Sequence, residues 1–327
     1  MNIEFFVPHP ARSIGGIERA VLGFERALGG RHEIRRSLGG IPASQTRLVH
    51  FHGLWNKDHL QAYRHCQRHG IPYIISPHGM LEPWAYRNRR WKKWTWLQLF
   101  GRRQLALASC VLATSRMEAE HLTSFTDQGN IGIAALGLDA HLTTSREEAR
   151  KSLGLEPGDK IVLYLSRIDR KKGLDLLVQA MSEHRGYQLW IVGDGDPGFV
   201  DELKGICDAR TRWIGPVWGE RRWDYLLAAD LFCLPTHSEN FGFAILEALW
   251  AGTPVLTTNQ TPWGEHAGVE GIHICEDTLD SLRDSLATLL PELARPPGIG
   301  EWARRQFHLE NLADTYDGIY SAAAANP

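Results

Sequence analysis

Short apolar runs alternate with amphipathic helical stretches along almost the whole chain, and this alternation limits the fold more than any other feature. IEFFV (3–7), LVHFH (48–52), YIIS (73–76) and CVLATS (110–115) read as strands, with helical patterns such as IERAVLGFERAL (17–28) and DHLQAYRHCQRH (58–69) between them. Strands this apolar are buried on both faces, and helical connections between them make a parallel sheet covered by helices. The rhythm restarts after residue 138 with IVLYLS (161–166), YQLWIVG (187–193), TRWIG (211–215), LFCLP (231–235) and PVLTT (254–258). Their helices are LDLLVQAMSEH (174–184), RRWDYLLAAD (221–230) and FAILEALWA (243–251). A chain of 327 residues is too long for one ordinary core, so two doubly wound α/β domains are expected. GLDAHLTTS (137–145) is the natural junction, and RPPGIG (295–300) breaks the pattern again before a last helical stretch, 301–322. No internal repeat is visible, and the terminal AAAANP is expected to fray.

Composition excludes several classes. A net charge of -2 gives no global attraction to nucleic acid or to an anionic membrane. The five cysteines (66, 110, 207, 233, 275) are odd in number, scattered and without a C-x-x-C, which fits reduced thiols in a cytosolic protein. MNIEFFVPHP is too short in its apolar part for a signal peptide, and LALASCVLA (105–113) is far short of the ~20 residues of a spanning helix. The expected setting is cytoplasmic, soluble or peripheral.

In open parallel sheets ligands bind at the carboxyl ends of strands, so the loops that follow strands are the places to look. In LSRIDRKKG (165–173) a strand ends at Ser166, and Arg167, Arg170, Lys171 and Lys172 follow before Gly173 opens a helix. That is either a phosphate site or a solvated basic turn. In THSENFGFAILEALWAGTPV (236–255), Glu239 lies in a polar loop, Gly242 permits close backbone approach, and the N–H groups of Gly242, Phe243 and Ala244 are available to an anion. Glu247 stands on an otherwise apolar helix, where a carboxylate is costly without a partner. Sugar hydroxyls or a nearby arginine would serve. Gly15 and Gly16 open a helix after the first strand in RSIGGIERAV (12–21), without the G-x-G-x-x-G of a dinucleotide site. His78 in ISPHGM (75–80) and His52 in HFHGLW (50–55) each stand just past a strand, in structural or functional roles.

Taken together, S-R-x-x-x-x-K-G, then E-x-F-G-x-x-x-x-E with A-G-T-P-V behind it, resemble the retaining glycosyltransferases of family 4, which have the GT-B fold: two Rossmann-like doubly wound parallel-sheet domains facing a central cleft. G-G-I-E-R and S-P-H-G-M resemble the same family, especially bacterial enzymes that build surface polysaccharides. The resemblance runs from Asn2 to the final helix. It implies an acceptor-side domain over 1–138, a nucleotide-sugar-binding domain over 139–300 and a helix over 301–327 that returns to the first domain.

It also implies roles. Arg167 and Lys172 would bind the donor diphosphate, Gly16 with Gly15 would approach it from the other domain, and Glu247 would hold the ribose hydroxyls. Glu239 and Asn240, with the N–H groups around Phe241, Gly242 and Phe243, would hold the transferred sugar and phosphate. His78 would face that sugar near the reacting carbon, and the base would lie near Gly215–Trp218. His78, Glu239, Arg167 and Lys172 are thus the catalytic candidates. Transfer of a hexosyl unit from a UDP- or GDP-sugar to a glycan or lipid-linked acceptor is expected, with retention, no protein nucleophile, no cofactor and no metal. The rivals are a nucleotide-sugar epimerase or hydrolase of the same fold, and a non-catalytic nucleotide-sugar-binding partner. Asn240 stands where the family usually has glycine, the first domain is short, and TPWGEHAGVEGIHIC (261–275) is compressed.

YRNRRWKKWTWLQLFGRRQ (86–104) carries seven cationic residues and no acidic one. Plotted at ~100° per residue, Trp91, Trp94, Leu97, Gly101 and Leu105 share the face expected to pack inward. Lys92, Lys93 and Arg103 fall opposite, interleaved with Trp96 and Phe100. That second face suits either an anionic bilayer surface or a core helix whose cations snorkel to solvent, and nucleic acid is not an expected partner.

Overall fold

The computed structural model describes residues 1–8, 15–87 and 90–325, without the side chains of Arg90 and Gln128. Arg12, Ser13 and Ile14 of the glycine loop, Asn88 and Arg89 of the basic segment, and the terminal Asn326 and Pro327 lie outside the described residues. The chain divides into two compact units, Met1–Asp139 with Gln306–Pro327, and Ala140–Arg305.

The first unit contains β1 (Asn2–Phe6), β2 (Glu33–Ser37), β3 (Leu48–His52), β4 (Tyr73–Ser76), β5 (Cys110–Ala113) and β6 (Ile131–Ile133). They form one parallel sheet in the order β2-β1-β3-β4-β5-β6. The strands expected from their apolar runs are β1, β3, β4 and β5. Both additional strands, β2 and β6, are edges, where one flank is open and a fully apolar sequence is not required. The helix Leu309–Ala325 packs on this unit: Tyr316 lies 4.7 Å from Phe24, ring to ring, and its hydroxyl donates to the Ala135 carbonyl at 2.6 Å. The final helical stretch is two helices, Ile299–Phe307 and Leu309–Ala325, because His308 bridges to Leu138 between them. The boundary between units therefore falls inside the helix Ile299–Phe307 rather than at the RPPGIG breaker.

The second unit contains β7 (Ile161–Leu165), β8 (Gln188–Val192), β9 (Thr211–Gly215), β10 (Leu231–Leu234), β11 (Val255–Thr258) and β12 (Ile272–Cys275), ordered β12-β11-β10-β7-β8-β9, all parallel. β12, again an edge, lies in the compressed segment. β7 and β10 are neighbours, and this brings the basic loop and the glutamate loop to the same end of the sheet.

The basic segment corrects the helical plot. Leu97, Gly101 and Leu105 are buried as expected, but Trp91 and Trp94 are 70% and 56% exposed. Trp96 turns inward instead, edge-on to Trp55 with ring centroids 5.0 Å apart. Two local features set this register. Leu97–Gly101 is a π turn, which a uniform angle per residue cannot represent, and a Cβ on Gly101 would lie 2.5 Å from the Trp96 ring. No described helix is long and apolar enough to cross a membrane. All five cysteines are free thiols.

Candidate nucleotide-sugar site

Past β7, Tyr164 donates its hydroxyl to the Arg167 carbonyl at 2.8 Å, and the Asp169 side chain accepts from the Lys171 N–H at 2.8 Å. These bonds shape the short 3-10 turn Arg170–Lys172. Gly173 ends that turn at φ +66°, and a Cβ there would meet the Pro235 carbonyl oxygen at 1.9 Å, so the loops after β7 and β10 are in backbone contact only because residue 173 is glycine. The Lys171 carbonyl accepts from the His237 N–H at 2.8 Å and from the Thr236 hydroxyl at 3.0 Å, which locks the loops together.

This contact aims the charges. Lys172 is buried and donates to the Glu239 carboxylate, whose side chain is 16% exposed. Burial raises the Glu239 carboxyl, but attraction to Lys172 and Lys171 and the Asn240 backbone N–H outweigh it and leave the group below the usual carboxylate range. Arg167 is exposed, with no side-chain hydrogen bond or ion pair among the described residues. Arg170 leaves the cluster: it pairs with Glu202 at 2.7 Å and stacks on Phe199 at 4.4 Å. Of the four cations in the loop, Arg167 is exposed, Lys172 is held by Glu239 and Arg170 by Glu202.

Gly242 sits at φ +85° and opens the helix Phe243–Trp250. Phe241 packs against Phe243 and Trp263, and the Trp263 indole donates to the Phe241 carbonyl at 2.7 Å. First-turn N–H groups of a helix lack intrahelical acceptors, so this end carries donors and a positive dipole. One turn further, Glu247 is only 1% exposed. Its partner is Arg222, whose Nε donates to Oε1 at 3.0 Å while Nη1 donates to the Gly219 carbonyl at 2.7 Å. Sequence reasoning did not single out Arg222; the available signal was a carboxylate on an apolar helix, which required a cation from elsewhere.

A cleft of about 690 Å3 opens at the carboxyl ends of β7 and β8, lined by Arg167, Asp169, Arg170, Asp194, Phe199 and Glu202 among others. Asp194-Gly195-Asp196 in its wall is a D-x-D triplet in a loop, which corrects the reading, behind the expectation of no metal, that no such triplet stands in a loop. Asp196 caps the helix Pro197–Lys204, accepting from the Phe199 N–H at 3.0 Å. Among the described residues, no group of three or more His, Cys, Asp or Glu side chains could hold a metal ion.

Gly15, Gly16 and His78 belong to the first unit. Gly15 and Gly16 form the exposed start of the helix Gly15–Leu28, where an added Cβ would meet nothing within 4 Å, so the unit's own packing does not demand glycine there. His78 is the only described non-glycine residue with positive φ, at 51°. The adjacent Gly79 N–H donates at 2.7 Å to the buried Glu118 carboxylate, which also accepts from the Thr114 N–H at 2.8 Å. This anchor holds the turn in which His78 takes its left-handed conformation.

Two family descriptions match the chain: "Glycosyl transferases group 1" over residues 145–292 and "Glycosyl transferase 4-like domain" over residues 7–128. The D-inositol 3-phosphate glycosyltransferase of Segniliparus rotundus is 30% identical over 248 residues, covering 69% of this chain and 55% of that protein. Its counterpart in Gordonia bronchialis is 29% identical over 261 residues, with the same coverage. The chain thus spans about half the length of the curated relatives it matches. Among solved structures, Anabaena HepE in complex with UDP and glucose superposes with TM-score 0.79 at 17% identity, over 98% of this chain and 100% of that one. Sucrose-phosphate synthase from Thermosynechococcus elongatus gives TM-score 0.80 at 20% identity over 100% of both chains. With two six-stranded parallel sheets and both halves of the motif set in place, the chain belongs to the family 4 glycosyltransferases of GT-B fold.

Proposed function

We propose that the chain transfers a hexosyl unit from a nucleoside diphosphate sugar to a glycan or lipid-linked acceptor, with retention and without a metal ion. The observation that carries this reading is the convergence, at the ends of β7 and β10, of exposed Arg167, the Lys172–Glu239 pair and the Gly242-opened helix. Breaking the bond between the sugar's anomeric carbon and its phosphate oxygen leaves the electron pair, and new negative charge, on the diphosphate. Arg167, Lys172 and the N–H groups at Phe243 are fixed donors for that charge, and preorganised donors are the largest contribution an enzyme makes to such a step. Glu247, steadied by Arg222, accepts from the ribose hydroxyls. Glu239, kept ionised by Lys172, accepts from hydroxyls of the transferred sugar. Because its charge is already committed to an ammonium, it serves as an acceptor rather than as a nucleophile. The acceptor oxygen bonds to the anomeric carbon, and its proton passes to the leaving phosphate.

The likeness to D-inositol 3-phosphate glycosyltransferases adds a phosphorylated polyol as a second class of acceptor. Assembly of surface polysaccharide and a peripheral seat on an anionic membrane are parts of the proposal, the second supported by exposed Trp84, Trp91, Trp94 and Leu99 beside exposed Lys92, Arg102 and Arg103. The test is incubation with UDP-, GDP- and ADP-hexoses, with and without lipid-linked and inositol-phosphate acceptors and with a chelator, reading product and anomeric configuration by NMR. A glycoside with the donor's configuration, formed with chelator present, is expected. Free sugar alone identifies a hydrolase, and an inverted product or loss with chelator removes retention or metal independence.

A further inference from the structure

Beneath His78 lies a set of side chains that the donor-site chemistry does not use. In β3, LVHFH places His50 and His52 on one face of the sheet, both fully buried. His50 Nδ1 is 2.5 Å from the Tyr320 hydroxyl and its Nε2 is 2.8 Å from the Ser76 hydroxyl, so both ring nitrogens are occupied. The His52 ring lies 3.9 Å from that of His50, with the rings of Phe5 and Phe24 at 5.1 and 6.0 Å. His52 Nδ1 is 3.0 Å from His78 Nε2, with the rings only 11° from coplanar, so the bond lies in both ring planes. The other nitrogen of His52, Nε2, is buried with no hydrogen-bond partner.

We propose that His52 is the positioning residue of His78, fixing its ring plane and its tautomer so that His78 carries its proton on Nδ1 and acts as a hydrogen-bond donor. The argument is one of proton placement. Burial lowers both rings, His52 far below the ordinary histidine range and His78 to about 4, so each is neutral and carries one proton. A proton on His52 Nε2 would leave a buried N–H with no acceptor, and orphaned buried N–H groups are rarer than orphaned acceptors. The proton therefore sits on His52 Nδ1 and is donated to His78 Nε2. That nitrogen is then a bare acceptor, and the His78 proton must be on Nδ1. A histidine in this state gives a hydrogen bond to a sugar hydroxyl or phosphate oxygen and does not remove a proton through that nitrogen.

The activity arm of the test rests on the reading of His78 given above; the tautomer arm does not. The intact chain, labelled with 15N in histidine, is examined by long-range 15N–1H spectroscopy at neutral pH, with the His78 signals assigned by their loss in His78→Gln. The Nδ1–H form is expected for wild-type His78, and the Nε2–H form found there overturns the proposal whatever the activity. In His52→Phe, which removes the donor and keeps a ring, His78 is expected to shift toward the Nε2–H form preferred by a free histidine side chain, and an unchanged tautomer overturns it. His52→Asn, whose amide nitrogen takes the place of Nδ1, is expected to keep the wild-type tautomer. With an active donor and acceptor pair, kcat is expected to fall roughly tenfold or more in His52→Phe with little change in the donor KM, and to stay within about threefold in His52→Asn. If no donor is turned over, the nitrogen spectra still decide this inference while the functional reading fails.

Discussion

Replacing Lys172 by methionine isolates one charge whose contribution can be weighed. The Lys172 and Glu239 side chains are 11% and 16% exposed. Burial alone drives the Glu239 carboxyl upward, and Lys172 is the largest of the influences that reverse it. Methionine keeps the length and apolar stem but leaves the carboxylate buried, with Lys171 as the remaining cation. Removing one partner of a buried pair costs about 3–5 kcal/mol, and the residual exposure of both groups points to the lower end, about 3 kcal/mol. In a unit the size of Ala140–Arg305 each kcal/mol moves the melting temperature by about 2–4 °C, so a drop of roughly 6–12 °C is expected at neutral pH.

The sign of the pH dependence follows. In the wild type the folded carboxyl lies below its unfolded value, so its stabilisation is present above the unfolded value and lost as pH falls through the folded one. In the variant burial lifts the folded value above the unfolded one, so the penalty is full near neutrality and is relieved by protonation as pH falls. The gap between the proteins should therefore be widest near neutral pH and narrow toward about pH 4, where glutamate ordinarily titrates. Calorimetric scans across that range, with Glu239→Gln and the double variant Lys172→Met/Glu239→Gln included, measure it. The double variant should be more stable than Lys172→Met alone, because no charge is left buried. A gap independent of pH, or a double variant no more stable than Lys172→Met, refutes the reasoning.

Arg222→Leu should destabilise by about 3–5 kcal/mol in chemical denaturation, because it removes the cation paired with a Glu247 that is 1% exposed; a change below about 1 kcal/mol means that another group neutralises the carboxylate. Gly242→Ala should cost about 1–3 kcal/mol, since residue 242 has φ +85° and the new Cβ would lie 3.1 Å from Glu239, Ile245 and Trp263, and an unshifted melting temperature would show that the loop relaxes freely. Flotation with anionic vesicles at low salt should bring the wild type up and leave the Trp91→Ser/Trp94→Ser variant largely behind, with binding weakened by added salt; equal recovery of both removes these tryptophans from the membrane proposal.

The interior of each sheet was legible because buried strands announce themselves: LVHFH and YIIS coincide with β3 and β4, and IVLYLS covers β7. Of the edges only β9, TRWIG, was legible. EIRRS is mostly polar, and IGI and IHIC are short and interrupted by Gly132 and His273, so β2, β6 and β12 leave a weak trace. Motif spacing found the loops after β7 and β10, since a strand, a polar stretch and a glycine before a helix leave a local trace. Partners far apart in sequence left none. The Arg222–Glu247 pair joins two helices, and the His50–His52–His78 set draws on β3, the turn after β4 and Tyr320 near the other end of the chain. The tryptophan register failed for a related reason: Trp55 and a π turn, neither contained in a uniform helical plot, decide which rings face inward.

The central claim is that the ends of β7 and β10 hold a nucleoside diphosphate through fixed cations, and calorimetric titration of UDP, GDP and ADP into the wild type and Arg167→Ala tests it most directly. One nucleotide binding at a single site, and losing at least about tenfold in affinity in Arg167→Ala, an effect of about 1.4 kcal/mol, is the predicted result. Binding by none of the three, or binding indifferent to Arg167, contradicts the account.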